Sequence, residues 1–326
     1  MLLAGDVGGT KTLLGLYREA PERPAPLHVR EFATLAFPGL GQIVGAFLKA
    51  VSVPHRDIDA AGFGVAGPVT DQVARLTNVP WPVDAVELSE QLDVARTVLL
   101  NDLEAMAWSI PVLQRGELAV LQEGIPQPDG NAAIIAAGTG LGEGLLHNVD
   151  GRFLPSPSEG GHADFSARTP REIDLLRELL RQYGRAQVEH VLSGPGLITL
   201  FGFTHAAPCE VVDTARRSEI PAQVTNAALE RRCPHCVEAL DLFVAAFGAE
   251  ASNLALRSVA TAGVYLGGGI APKILPALRH GPFLEAFRDK EPMVDMLATI
   301  PVSVILNERS GLLGAAVRAG QLCREP

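Results

Sequence analysis

Short apolar runs alternate along this chain with segments in which apolar residues recur every three or four positions. The runs at 2–7, 12–17 and 60–66 predict buried β-strands. The run at 97–100 predicts another strand, which leads directly into a helical pattern at 103–108. This alternation is typical of an α/β protein.

The same arrangement begins again about one domain length later. Residues 131–137 and 144–149 predict two strands around a glycine-rich turn, as 2–7 and 12–17 do around the first such turn. This internal repeat predicts two similar α/β domains that face a shared cleft, each presenting a Gly/Thr turn to it.

Longer helical patterns follow in the second half. A helix begins at residues 169–172, where Thr-Pro-Arg-Glu forms a capping box, and ends near Gly184. The mostly apolar segment 227–256 predicts a long helix that is interrupted near Gly248. The remaining predictions are strands at 264–266 and 302–306 and a closing helix at 311–322.

The composition is that of an ordinary globular protein. The 326 residues, 47% hydrophobic and 20% charged, suffice for two domains with buried cores. A net charge of −10 without a basic run argues against nucleic acid or an anionic membrane as partner. The first residues lack the pattern of a secretory signal, and four cysteines do not make a disulfide framework, so we expect a cytoplasmic protein.

The first turn, at residues 5–10, has the sequence Gly-Asp-Val-Gly-Gly-Thr. Gly8 and Gly9 permit a tight turn that brings backbone N–H groups close to phosphate oxygens. Asp6 is placed to hold a hydrated Mg²⁺, and the Thr10 hydroxyl can donate a hydrogen bond. The alternative, better for this motif taken alone, is a plain hairpin turn beside an aspartate.

The matching turn of the second half, at residues 137–142, has the sequence Ala-Gly-Thr-Gly-Leu-Gly. Gly138, Thr139 and Gly140 are candidates for a second phosphate-binding turn, with Thr139 donating to an oxygen. A plain glycine turn is again the alternative, but two such turns in repeated domains favour a nucleotide.

Three consecutive glycines follow the predicted strand at 264–266. Gly268 and Gly269 would let a base or ribose lie against the backbone, near the N-terminus of a following helix. The Gly-x-Gly-x-x-Gly pattern at 62–67 is followed by Pro68 and a polar loop, so it predicts a strand of small residues and not a dinucleotide site.

Asp102 follows Asn101 at the carboxyl end of a predicted strand, where ligand sites open in α/β sheets. Its carboxylate could accept the proton of a hydroxyl group that attacks phosphorus. The alternative is a structural role for Asp102 as the N-cap of the next helix.

The loop at residues 158–165, Ser-Glu-Gly-Gly-His-Ala-Asp-Phe, places Glu159 and His162 around two glycines. They do not share a helical face, as the ligands of a metalloprotease motif would. A carboxylate and an imidazole suit the hydroxyl groups of a sugar, and Glu189 is a further candidate acceptor.

Cys233 and Cys236 form one Cys-x-x-Cys motif without a second cysteine pair. One such motif supplies at most half of a zinc site. We therefore interpret the two cysteines as a reduced pair at the start of a helix.

Taken together and in order, these motifs resemble the bacterial glucokinase family over nearly the whole chain. The segments that match are 5–10, 101–102, 138–142, 159–165, Glu189 with 192–196, and 267–270. The resemblance implies a two-domain, actin-like ATPase fold (hexokinase/ribonuclease H-like) with an interdomain cleft. The small α/β domain would comprise residues 1–112 plus 306–326, and the large one residues 113–305.

The resemblance also implies a function. The chain would be a homodimeric enzyme that uses ATP and Mg²⁺ to convert D-glucose to glucose 6-phosphate for glycolysis. Asp102 would be the general base. The residues around the sugar would be Asn101, Glu159, His162 and Glu189, with Thr77 and Asn78 in a further matching segment.

The resemblance also indicates which residues would bind the nucleotide. The two turns would bind phosphates and metal through Asp6, Gly8, Gly9, Thr10, Gly138, Thr139 and Gly140, and Gly268 and Gly269 would lie near the nucleoside. Two positions depart from the family pattern: Lys11 stands where Asn is common, and Glu143-Gly144 where small apolar residues are common.

Two other functions remain open. The chain could phosphorylate mannose, fructose or an N-acetyl amino sugar, because epimers are hard to distinguish from sequence. A sugar-sensing repressor would need a helix-turn-helix, normally ahead of the first strand, and here the strand pattern begins at residue 2. Related repressor–kinase proteins carry a cysteine-rich zinc motif after the Glu-x-Gly-His segment, whereas residues 163–167 contain no cysteine.

Overall fold

The computed structural model describes residues 1–76 and 78–325. The chain divides into two compact units. Unit 1 comprises Met1–Arg115 and the C-terminal segment that begins at Asn307, and unit 2 comprises Gly116–Leu306. Both units are built from a sheet with helices packed against it.

The strands are β1 (Leu2–Val7), β2 (Lys11–Arg18), β3 (Ala25–Ala33), β4 (Ala60–Val65), β5 (Val69–Thr70), β6 (Val73–Ala74), β7 (Val83–Asp84), β8 (Thr97–Asn101), β9 (Leu118–Gln122), β10 (Ala132–Ala137), β11 (Leu141–Val149), β12 (Arg152–Ser158), β13 (Gly263–Gly267) and β14 (Val302–Ile305). The helices are α1 (Leu40–Val51), α2 (Ala85–Leu92), α3 (Asp102–Ser109), α4 (Pro170–Tyr183), α5 (Gly194–Thr204), α6 (Ile220–Leu229), α7 (Pro234–Ser258), α8 (Leu275–His280), α9 (Phe283–Arg288), α10 (Val294–Thr299) and α11 (Ser310–Leu322).

The two main sheets repeat one arrangement. In unit 1 the strand order is β3-β2-β1-β4-β8, with β1 antiparallel to β2 and parallel to β4. In unit 2 the order is β12-β11-β10-β13-β14-β9, with β10 antiparallel to β11 and parallel to β13. Each sheet therefore contains a hairpin that is closed by a glycine turn and whose first strand pairs in parallel with a later strand, which confirms the predicted internal repeat.

Small residues in β4 let two helices approach the sheet of unit 1. A Cβ on Gly62 would overlap the backbone of Ala315 in α11, and a Cβ on Gly64 would lie 2.7 Å from Cβ of Ala105 in α3. The glycines of this segment therefore serve helix–sheet packing, which confirms the prediction of a strand of small residues. Because α3 is pressed onto β4, Asp102 at its first position is fixed relative to the sheet.

The contact between α3 and α11 gives a testable prediction. A Cβ on Gly314 would overlap the carbonyl of Ala105, so we expect Gly314→Ala to lower the free energy of unfolding by about 1–3 kcal/mol. The control is Gly45→Ala within α1, where a Cβ has open space. That change should raise stability by about 0.5–1 kcal/mol. Urea denaturation of both variants checks the pair, and a stable Gly314→Ala protein would contradict the close packing.

One predicted helix of unit 2 has the expected boundaries, and another does not. Helix α4 begins after Thr169 with the predicted capping box and ends at Gly184 in a left-handed conformation. The long helix predicted at 227–256 with a break near Gly248 is wrong, because the break lies between α6 and α7. Gly248 stands inside an unbroken α7, where a Cβ would overlap the carbonyl of Phe283. The glycine permits close packing of α9 and is not a breaker.

Helix α7 is the centre of the unit 2 core. Among the described residues it is the helix long and apolar enough to cross a membrane, but 72% of that apolar window is buried inside the protein. Phe243 and Phe247 of this helix are fully buried, with aromatic contacts between them and on to Phe283. The apolar character of α7 is therefore explained by its place in the core.

Candidate active site

The first glycine turn joins β1 to β2 in unit 1 and is held from the side by Thr34. The Gly8 N–H donates to the Lys11 carbonyl at 2.9 Å, which closes the turn. The Thr34 hydroxyl donates to the Gly8 carbonyl at 2.8 Å, and the Thr34 N–H donates to the Thr10 carbonyl at 3.0 Å. These bonds fix the turn before any ligand arrives, and no local sequence pattern singled out Thr34.

Two aspartates lie at the carboxyl edge of the same sheet. Asp6 is paired with Gly64 across β1 and β4, and Gly64 with Leu100 across β4 and β8, so Asp102 follows two residues further along. The pKa of Asp6 is raised to about 6, mainly by burial and secondly by the Asp102 charge, while the Lys11 charge opposes both. A divalent cation would offset this repulsion, so the donor set fits a hydrated Mg²⁺.

The helix after β8 is capped by Asn101. The Asn101 side-chain oxygen accepts a hydrogen bond from the Glu104 N–H at 2.6 Å, and Asp102 is the first residue of α3. The alternative reading of Asp102 as the N-cap is therefore wrong. Capping does not depend on the Asp102 carboxylate, whose Oδ1 accepts from the adjacent Leu103 N–H at 2.9 Å.

One more residue that is predicted to contact the sugar lies beside the first turn. Asn78 is exposed, and its Cβ would be 3.8 Å from a Cβ on Gly9. Thr77, predicted with it, lies outside the described residues. A Cβ on Gly311 of α11 would be 3.4 Å from Asp6 Oδ2. Gly311 thus leaves room beside this carboxylate, and sequence reasoning did not identify it.

The second glycine turn, in unit 2, meets two other segments at one corner. The Gly194 N–H, at the start of α5, donates to the Gly138 carbonyl at 2.8 Å. The Ile270 N–H donates to the Ala137 carbonyl at 3.2 Å. A Cβ on Gly138 or on Gly269 would have no other heavy atom within 4 Å, apart from its chain neighbours. The space beside these two glycines is therefore open. A ligand that lies against the backbone requires such a space.

Gly268 has a positive φ of 82°, and a Cβ there would overlap the Ala137 backbone. Only glycine fits this turn without strain. The helix predicted to follow these glycines begins only at Leu275, after an intervening turn. No helix N-terminus is thus formed at Gly269.

Glu189 supports the second turn. Its Oε2 accepts from the Leu141 N–H at 2.8 Å and would be 2.6 Å from a Cβ on Gly140. The Ser193 hydroxyl donates to the Glu189 carbonyl at 2.7 Å and accepts from the Gly196 N–H at 3.0 Å as the N-cap of α5. The carboxylate thus has a structural bond in addition to its predicted role with a sugar.

The loop that carries Glu159 and His162 is anchored to the segment before Glu189. His162 Nδ1 lies 2.9 Å from Gln187 Oε1, and its Nε2 lies 3.9 Å from Glu159 Oε2. The Val188 N–H donates to the Ala163 carbonyl at 3.0 Å. Both side chains remain accessible, with 53% of His162 and 78% of Glu159 exposed. Unit 2 therefore places Glu159, His162 and Glu189, the three residues predicted there to bind the sugar, on adjoining segments. Gln187 is a neighbour that the sequence did not indicate.

Comparison with known proteins places this arrangement in a family. The family model described as Glucokinase matches residues 3–322. The glucokinase of Synechocystis sp. is 39% identical, with 98% of each chain covered. The chain belongs to the glucokinase family. This membership confirms the predicted family and its class of enzyme, a hexose phosphotransferase.

Solved structures of glucokinases share the fold. That of an Antarctic psychrotroph superimposes with a TM-score of 0.88 at 28% identity, over 98% of each chain. A ROK family glucokinase from Streptomyces griseus, in complex with glucose and AMPPNP, gives a TM-score of 0.63 at 24% identity, over 98% of this chain and 99% of that one. The predicted fold class, a two-domain actin-like ATPase fold, is confirmed by these likenesses.

Glu143 is an unusual buried group beside the loop that carries Glu159 and His162. It is 1% exposed, and neither carboxylate oxygen has a hydrogen-bond partner among the described residues. Burial raises its pKa to about 7, with the Glu250 charge as a second cause and Arg257 opposing. A Cβ on Gly160 would overlap Glu143 Oε2, so the glycine beside Glu159 makes room for this buried group.

This burial predicts a pH dependence of stability. The pKa of Glu143 is about 7 in the folded chain, above the ordinary value of 4.5. The folded chain therefore holds this proton more tightly than the unfolded chain, and ionisation of Glu143 opposes folding. As pH rises from 4.5 through 7, we expect the wild type to lose up to about 3 kcal/mol relative to Glu143→Gln. Unfolding free energies of both proteins across this window check the prediction. Equal pH slopes would mean that Glu143 ionises normally.

A surface groove elsewhere in unit 2 is not part of this site. It has a volume of about 520 Å³ and is lined by residues of α4, α7 and α9, among them Glu172, Glu238 and Glu285. None of the predicted site residues lines it. The predicted site residues lie on the glycine turns and on the loop that carries Glu159 and His162, and not in this groove.

Proposed function

We propose that this chain is an ATP-dependent glucokinase that phosphorylates the 6-hydroxyl group of D-glucose. The observation that carries the proposal is the position of Asp6 and Asp102 at one sheet edge beside a preformed glycine turn. Family membership and the fold shared with a glucokinase bound to glucose and AMPPNP support the choice of sugar and of donor.

Asp102 is the proposed general base. It accepts the proton of the sugar hydroxyl as that oxygen attacks phosphorus, a role that typically contributes about 10²–10⁴-fold to the rate. The packing around Asp102 supports this role. Asn101 caps α3, and α3 packs tightly on β4, so the Asp102 backbone is fixed without use of its side chain for capping.

The sugar is proposed to be recognised by hydrogen bonds to its hydroxyl groups. The residues are Asn78, Asn101, Asp102, Glu159, His162 and Glu189. Glu159 and His162 are exposed on a loop anchored through Gln187, so they can turn toward a ligand without breaking the fold. A sugar that lacks the matching hydroxyl leaves such acceptors unpaired and is disfavoured.

The phosphates and nucleoside are proposed to lie along the glycine turns. The residues are Gly8, Gly9, Thr10, Gly138, Thr139 and Gly140 for phosphates, and Gly268 and Gly269 for the nucleoside. Asp6 would hold the hydrated Mg²⁺, which would neutralise the phosphate charge when bound. The turns contribute backbone N–H groups, and Thr34 keeps the first turn in one conformation.

The experiment is a coupled assay with ATP and Mg²⁺ that compares kcat/KM for glucose, mannose, fructose and N-acetylglucosamine. The highest value is expected for glucose. A higher value for another sugar would reassign the acceptor within the same chemistry, and a folded protein inactive with every sugar would refute the kinase proposal. ADP and polyphosphate in place of ATP test the donor. The family resemblance also leads us to propose a cytoplasmic homodimer, which light scattering can check for the oligomeric state.

A further inference from the structure

Four side chains of metal-ligand type converge in unit 2 where α5 ends and α7 begins. The ligand atoms of His205, Cys209, Cys233 and Cys236 all lie within 4.8 Å of one another. His205 directly follows α5, Cys233 is the N-cap of α7, and Cys236 is in the first turn of that helix. The Cys-x-x-Cys motif thus meets a partner pair, His205-x-x-x-Cys209, that a search for a second cysteine pair overlooks.

The distances in this cluster are those between the ligands of a tetrahedral zinc site. Zn–S bonds of about 2.3 Å and Zn–N bonds of about 2.0–2.1 Å imply tetrahedral edges of about 3.8 Å between sulfurs and about 3.6 Å between sulfur and nitrogen. Cys209 Sγ lies 3.8 Å from Cys233 Sγ. His205 Nε2 lies 3.4 Å from Cys233 Sγ and 3.9 Å from Cys236 Sγ.

The orientation of the imidazole also fits metal binding. His205 Nδ1 lies 2.9 Å from the Phe201 carbonyl oxygen, to which it donates, so Nε2 carries the lone pair that faces the sulfurs. Metal-bound histidines usually donate their other ring N–H to a carbonyl or carboxylate in this way. The Phe201 ring, with its centroid 4.1 Å from that of His205, restricts the imidazole further.

The surroundings favour a closed structural site. Cys233 and Cys236 are buried, His205 and Cys209 are half-buried, and all four cysteines of the chain are free thiols. Four protein ligands complete a tetrahedron and leave no position for a substrate. Helix α5 separates the cluster from Ser193 and Gly194 at the second glycine turn by roughly 16 Å, the length of an eleven-residue helix.

We propose that His205, Cys209, Cys233 and Cys236 bind one structural Zn²⁺ ion. On binding, the ion replaces the three thiol protons, which pass to solvent, and Nε2 of His205 provides the fourth ligand. The ion ties the chain between α5 and α6 to the N-terminus of α7. It acts on the stability of unit 2 and takes no part in phosphoryl transfer, so its test is independent of the proposed kinase function.

The experiment measures metal in the full-length wild type, purified under reducing conditions without a metal-binding tag. Mass spectrometry of the metal content should give one zinc per chain. Replacement of zinc by Co²⁺ should give the visible bands of tetrahedral cobalt together with thiolate-to-cobalt charge transfer in the near ultraviolet. Removal of zinc should lower Tm.

Two variants and one control locate the ion. Cys209→Ser and Cys236→Ser should lose stoichiometric zinc and the cobalt bands. Cys323→Ser, which changes the cysteine of unit 1 after α11, should keep both. A wild type that stays free of zinc and cobalt after incubation with either ion would overturn the proposal, whatever the variants do. Full zinc in both the Cys209 and Cys236 variants would overturn it as well.

Discussion

Asp102→Asn should lower kcat for glucose phosphorylation by about 10²–10⁴-fold and leave the Kd for glucose within a few-fold of the wild-type value. The amide keeps the size of the side chain and its acceptor for the Leu103 N–H, but it cannot take up the proton of the attacking hydroxyl. Steady-state kinetics and glucose binding by calorimetry provide the two readouts.

The matched control for this substitution is Asp84→Asn. Asp84 is the N-cap of α2 in the same unit and accepts from the Val86 and Glu87 N–H groups. Asparagine caps helices as well as aspartate does, so kcat and Tm should both stay near wild type. Wild-type turnover by Asp102→Asn would remove the general-base assignment. Lost glucose binding in that variant would mean that Asp102 holds the sugar and has no separate chemical role.

Glu189→Ala should lower kcat/KM for glucose by roughly 10–150-fold, since a hydrogen bond to a charged group contributes about 1.5–3 kcal/mol. It should also lower Tm, because the Leu141 N–H loses its acceptor. Glu189→Gln separates these two roles. The amide oxygen can still accept from Leu141, so Tm should be kept while the KM for glucose rises.

The control for this pair is Glu178→Gln, which breaks an exposed ion pair with Arg181 on α4. Exposed ion pairs contribute little, so neither kinetics nor Tm should change. If Glu189→Gln behaves like this control, Glu189 is a structural support of the second turn and does not contact the sugar.

Features that depend on neighbouring residues could be predicted from the sequence. The capping box at Thr169 and the left-handed Gly184 set the ends of α4 by local hydrogen bonds, and both can be recognised from residues that are close in sequence. The repeated glycine turns were also recognisable, because each needs glycine where a side chain would obstruct the backbone. The family's motif residues could likewise be located before any geometry was known.

Features that depend on contacts between residues distant in sequence could not be predicted. Gly248 has the local signature of a helix break, but its role is set by the carbonyl of Phe283 from another helix. Thr34 reaches the first turn from beyond β3, and Gln187 reaches His162 from a separate loop. The cysteine cluster shows the same limit, since His205 and Cys209 join Cys233 only through the packing of α5 against α7.

The most direct test of the central claim is the product balance of the purified wild type with ATP, Mg²⁺ and glucose. Phosphorus NMR of the mixture identifies the phosphorylated products, and the same sample gives the amount of ADP. We predict one glucose 6-phosphate for each ADP and little ATP consumption when glucose is omitted. ADP and free phosphate without sugar phosphate, or no turnover by a folded chain that binds glucose, would contradict the account.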